Sequence, residues 1–148
     1  MVSEQIKFAG EQGSLLLEVS GYENPLATNE DDANWLASTL TIKAGPFAGV
    51  FRVAFTTHDL ISLRDRLKNG LAALSETVSF QSTEDDIAFD IEFNKRGAAT
   101  ISGTAQPHRS LEASLTFRLD TDQSALAQTL RQLETVVRRF PTRQIQQL

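Results

Sequence analysis

The sequence has no cysteine, and among its 148 residues it has one methionine, one tryptophan, one tyrosine and two histidines. Without cysteine there is no disulfide framework, no thiolate nucleophile and no sulfur ligand for zinc. Such a chain suits a reducing compartment. With only His58 and His108 available, a nucleophilic triad would need one of them beside a serine and an acid. No Gly-x-Ser-x-Gly elbow is present. No glycine-rich phosphate loop precedes a helix. No run approaches the roughly 18 apolar residues of a membrane span. The first residues, MVSEQIKF, lack a basic segment followed by an apolar one, so no signal peptide is expected. A cytoplasmic location and no membrane association are the expectations.

Positive charge is also scarce. Fourteen Lys and Arg stand against nineteen Asp and Glu, for a net charge of −5. Nucleic acids are bound mostly through Lys and Arg, so no nucleic-acid partner is expected. The one cluster of bases is Arg131, Arg138, Arg139 and Arg143. It reads either as a phosphate patch or as cations offsetting a helix dipole. Arg138 and Arg139 fall where a helix C-terminus wants them, which favours the second reading.

What is present is a strong apolar pattern: 41% of the chain is hydrophobic. A chain this long buries roughly 70% of its unfolded surface, enough for one self-sufficient domain. Period-two alternation marks strands at Ile6 and Phe8, at Leu15, Leu17 and Val19, at residues 35–43 and at Phe51, Val53 and Phe55. Residues 21–34 read as a long polar loop. Leu60, Leu63, Leu67, Leu71 and Leu74 then recur at helical spacing, with Thr56 and Asp59 placed as a capping box. Gly70 should weaken the last turn of that helix, residues 57–74.

The order then repeats. Val78 and Phe80, residues 87–93, residues 98–105 and the alternation Leu111, Ala113, Leu115, Phe117, Leu119 predict four more strands. Leu126, Leu130, Leu133, Val137 and Phe140 predict a second helix, which Pro141 ends. The expected fold class is α+β. It is a two-layer sandwich of about eight mostly antiparallel strands in the order ββββαββββα, with two helices packed on one face. Residues 1–141 form the domain and 142–148 a polar tail. Sequence identity between the halves is not evident.

Candidate sites are few. His58 sits in the first turn of a helix, where a surface position explains it. The acidic runs Glu30-Asp31-Asp32 and Glu84-Asp85-Asp86 do not continue into a calcium loop with a central Gly and a final Glu. They read as solvated turns. No metal, cofactor or catalytic residue is expected. Asp90 and Glu92 share the outer face of a strand simply because strands alternate. Trp35 reads either as a binding anchor or as a plug at a sheet edge. Either Thr121 or Asp122 is placed to cap the second helix.

The segments Asn34-Trp35-Leu36, Phe47-Ala48-Gly49, Asp59-Leu60, the strand Gly97 to Gly103 and Asp122-Gln123-Ser124-Ala125-Leu126 together resemble the WapI family of bacterial immunity proteins. The resemblance spans about residues 15–141. Here Ala48 stands where the family shows Ser, and Ser124-Ala125 where it shows Thr-Tyr. The resemblance implies a non-catalytic protein that binds and silences a secreted toxin made by the same cell. Its protein partner is expected to be a basic toxin domain, since opposite charge speeds encounter. The expected contact is Asp31, Asp32, Trp35, Asp85, Asp86, Asp90 and Glu92. The alternative is a small-molecule or peptide-binding module with a groove around Trp35 and Phe47. A homodimer through a sheet edge is a further expectation.

Overall fold

A computed structural model describes residues 3–74, 77–107 and 113–145. In chain order the elements are β1 (Glu4–Ala9), β2 (Gly13–Tyr22), α1 (Glu30–Ala33), β3 (Trp35–Ala44), β4 (Phe47–Thr56), α2 (Thr57–Ala73), β5 (Val78–Gln81), β6 (Ile87–Phe93), β7 (Ala98–Ala105), β8 (Leu115–Asp122) and α3 (Gln123–Arg139). The α+β class and the order ββββαββββα hold, with one addition. The short α1 forms inside the segment expected to be loop, because Asn29 caps it by accepting from the Asp32 N–H at 2.9 Å.

The strands, expected in a single sheet, divide into two antiparallel sheets, β1-β2-β3-β4 and β5-β6-β7-β8. Their apolar faces meet. Phe8 of β1 lies edge-on to Phe89 of β6 at 5.2 Å, and Phe55 of β4 stacks on Phe80 of β5 at 6.0 Å. A cavity of only about 30 Å³, walled by Phe8, Leu17, Leu40, Phe55, Phe80 and Phe89, remains between them. Gly103 pairs with Phe89 on one side and Phe117 on the other. A Cβ there would overlap the Ala88 carbonyl and Phe89, so its lack of a side chain lets β7 sit close to β6.

With the apolar face of each sheet covered by the other sheet, the helices cover edges. α3 lies along β1, α2 packs on β5, and the two helices touch. Each helix therefore closes the sheet of the other half. Each also begins directly at a strand end and is 17 residues long. Thr56 caps α2, with Asp59 completing the capping box, and Asp122 caps α3 by accepting from the Ala125 N–H at 2.8 Å.

The caps Thr56 and Asp122 lie 66 residues apart. At that same offset Leu60, Leu63, Leu67 and Gly70 match Leu126, Thr129, Leu133 and Val136, all buried. The halves thus repeat in structure where identity does not show it. The α3 stripe predicted from leucines missed Thr129 and Val136. Thr129 replaces a leucine because its hydroxyl donates to the Lys7 carbonyl of β1 at 2.6 Å. Gly70, which helix propensity alone disfavours, is where α2 touches β5: a Cβ there would overlap Val78 and crowd Phe93.

Leu115, expected in the core, is half-buried at the start of β8. Leu111, which the alternation placed in that strand, and His108 lie outside the described residues.

Candidate partner-binding surface

The chain does not leave α3 as a free tail. Tyr22 of β2 packs edge-on to Phe140 at 5.7 Å, and its hydroxyl donates to the Pro141 carbonyl. Thr142 and Thr57 share a hydroxyl–hydroxyl bond at 3.0 Å. Arg143 then turns back under the 23–34 connection. Its guanidinium donates to the carbonyls of Ala33 at 2.9 Å, Pro25 at 3.0 Å and Asn24 at 2.9 Å. Its plane lies 3.9 Å from the Tyr22 ring centroid. The side chain of buried Asn34 accepts from the Arg143 N–H at 2.7 Å and donates to its carbonyl at 3.1 Å. A guanidinium suits this work because its donors fan out in one plane while its face stacks on a ring. Arg143, placed by sequence among possible dipole-offsetting cations, is instead a clamp on the segment that carries α1. Arg138 and Arg139 do occupy the last turn of α3.

Burial raises the Tyr22 hydroxyl above its ordinary pKa, with the nearby Arg143 cation opposing the rise. The folded protein therefore holds the phenolic proton more tightly than the unfolded chain does. The stability this contributes is full below the ordinary value of about 10 and is lost as pH climbs through the raised one. Tyr22 is the single tyrosine, so an alkaline tyrosinate absorbance titration reads it alone. Its midpoint is expected above that of the urea-unfolded chain; a midpoint at or below it would contradict this packing.

The acidic candidates fall in three places. Asp31 and Asp32 are exposed on α1, beside a concavity that also takes Ile145. Asp85 is exposed in the β5–β6 turn at a positive φ of 60°. Asp90 and Glu92 are exposed on the outer face of β6. That face is mixed in charge: Arg66 lines the same hollow as Asp90, and Arg118 follows Ser102 across the sheet.

Asp86 differs from its neighbours. It is only 1% exposed and so is not a direct contact. The chain folds it inward because Ile87, the next residue, enters the core, and the Gln106 N–H binds its carbonyl at 2.9 Å. Sequence alone could not separate it from Glu84 and Asp85, because a turn has no side-chain period.

Trp35 is half-buried at the first position of β3. It lines a groove of about 410 Å³ with Glu23, Arg52, Ala54, Glu84 and Asp86. Phe47 does not share it. The pairings Trp35–Thr56 and Ala44–Phe47 put the two aromatics at opposite ends of the β3–β4 hairpin, roughly 30 Å apart at strand spacing. His58 is exposed, as its first-turn position required. Asp59 is engaged by the capping box and by the Thr83 hydroxyl, which donates to it at 2.8 Å.

Among the described residues no group of three His, Cys, Asp or Glu is disposed to hold a metal ion, and no helix is long and apolar enough to cross a membrane. What the described residues offer is a paired-sheet scaffold that displays the acids of α1 and of the β5–β6 turn and a groove beside Trp35. The sequence matches the immunity protein WapI-like family over residues 5–141. The chain belongs to that family. None of the curated proteins matches it.

Proposed function

We propose that this protein neutralises a toxin by binding it directly. Membership in an immunity-protein family over residues 5–141 carries the reading. The net charge of −5 supports a basic toxin domain as partner, because opposite charge steers encounter and raises the association rate. The contact groups we assign are Asp31, Asp32, Trp35, Asp85, Asp90 and Glu92, leaving out Asp86, which is buried. The test is co-expression with a toxin domain encoded beside this gene. Growth should be rescued and the two chains should purify together. Reversing Asp31, Asp32, Asp85, Asp90 and Glu92 to Lys should slow association about tenfold or more at low salt, with the melting temperature nearly unchanged. Failure to rescue growth from that toxin would sink the reading.

The groove at Trp35 supports a second reading, a small-molecule or peptide site. Trp35 is the single tryptophan, so its fluorescence reports occupancy without interference. A ligand screen should shift its emission, and an unchanged spectrum throughout rejects this reading.

A further inference from the structure

The two halves make the same structural step with unequal amounts of chain. In the second half, β6 passes to β7 through residues 94–97 alone. There the Asn94 N–H donates to the Ala98 carbonyl at 2.9 Å, and the Gln123 N–H, at the start of α3, donates to the Gly97 carbonyl at 2.7 Å. In the first half, β2 passes to β3 through residues 23–34. The same two bonds recur: the Glu23 N–H donates to the Trp35 carbonyl at 2.8 Å, and the Thr57 N–H, at the start of α2, to the Asn34 carbonyl at 2.9 Å. Trp35 pairs with the cap Thr56 as Ala98 pairs with the cap Asp122. An alanine and a tight turn therefore satisfy what the fold requires at this place. Trp35 and most of the 23–34 connection exceed that requirement, and the Arg143 clamp braces the excess.

The excess is shaped for contact. The Ala27 N–H donates to the Asn24 carbonyl at 3.2 Å, closing a turn with Pro25 and Leu26 at its two central positions. Proline fixes its own φ there, and Arg143 binds the Asn24 and Pro25 carbonyls. Leu26 stands on this braced turn 88% exposed. An apolar side chain carried on a rigid turn loses little freedom when a partner buries it. The connection also carries Glu23, Glu30, Asp31 and Asp32 and no base. Those acids repel nucleic acid and anionic lipid and attract a basic protein surface.

We propose that the 23–34 connection is the recognition element of this protein, with Leu26 as the apolar anchor that enters a pocket on a basic partner surface and Glu30 and Asp31 at the rim of that contact. The inference rests on the toxin-binding reading and says which part of the chain grips the toxin. Anchor and rim should act on different steps. A buried anchor sets how slowly the complex comes apart, whereas rim charges set how fast it forms. Val50 of β4 is also apolar and 68% exposed, but it lies outside the connection and should affect neither step.

Binding kinetics of the full chain on an immobilised toxin domain encoded beside this gene test it. Leu26→Ala should raise the dissociation rate at least about tenfold and leave the association rate nearly unchanged. Glu30→Gln combined with Asp31→Asn should slow association several-fold at low salt, and added salt should shrink the difference by screening. Val50→Ala should match the parent. All the changed positions are exposed, so the variants should fold, and their melting curves check it. The inference is overturned, with the toxin-binding reading left standing, by any of three results: Leu26→Ala dissociates like its parent, Val50→Ala dissociates as fast as Leu26→Ala, or the Glu30 and Asp31 changes leave association unmoved. Failure of the parent chain to form a complex overturns both.

Discussion

Phe89→Ala is expected to cost about 3–5 kcal/mol, the range for removing a buried aromatic ring and leaving a cavity. Phe89 is the hinge pin of the core. It is 5% exposed, meets Phe8 at 5.2 Å and Phe80 at 5.4 Å, and so touches both sheets at once. Each such ring pair adds about 0.5–1.5 kcal/mol beyond area burial. A domain of this size has about 5–15 kcal/mol in total, so the variant should sit near the edge of folding at room temperature. Asp90, the next residue, points the other way and is exposed. Asp90→Ala should change stability by less than about 0.5 kcal/mol. Urea denaturation of the two variants reads the difference. Equal damage from both would mean that the face of β6 is wrongly assigned, and the proposed contact at Asp90 and Glu92 would fall with it.

Arg143→Ala should cost about 2–3 kcal/mol, and it should do so locally. Charge-assisted hydrogen bonds are worth about 1.5–3 kcal/mol each, and several here serve carbonyls that regain water when the arginine is gone. The Ala33 carbonyl belongs to a buried residue and is the costliest to strand. Amides of residues 24–34 should exchange faster in the variant, because the clamp holds that connection and the α1 acids on it. Lysine should not restore protection, since one ammonium cannot reach three carbonyls and stack on Tyr22 together. Arg138→Ala, an exposed change in the last turn of α3, serves as control. If Arg143→Ala exchanges and melts like Arg138→Ala, the clamp is not what orders the acidic connection.

The strands, the helices and their caps were legible along the chain because each is written in local chemistry. Alternation at Ile87, Phe89 and Ile91, a leucine every three or four residues from Leu60, and the pairing of Thr56 with Asp59 all act within a few residues. Exposure of Asp90 and Glu92 followed from that same alternation. The family resemblance was legible too, through short segments spread from Asn34 to Leu126.

Only the tertiary structure decided how the pieces combine. Periodicity shows that a strand has an apolar face and is silent on whether a helix or a second sheet covers it. Hence eight strands expected in one sheet form two. The crossing of α3 to β1 and α2 to β5, the burial of Asp86 and the clamp at Arg143 all depend on groups far apart in sequence. The Arg143 bonds span 109 to 119 residues. An isolated arginine in an aperiodic stretch carries no local signal of a partner that distant, because only chain closure sets the distance between them.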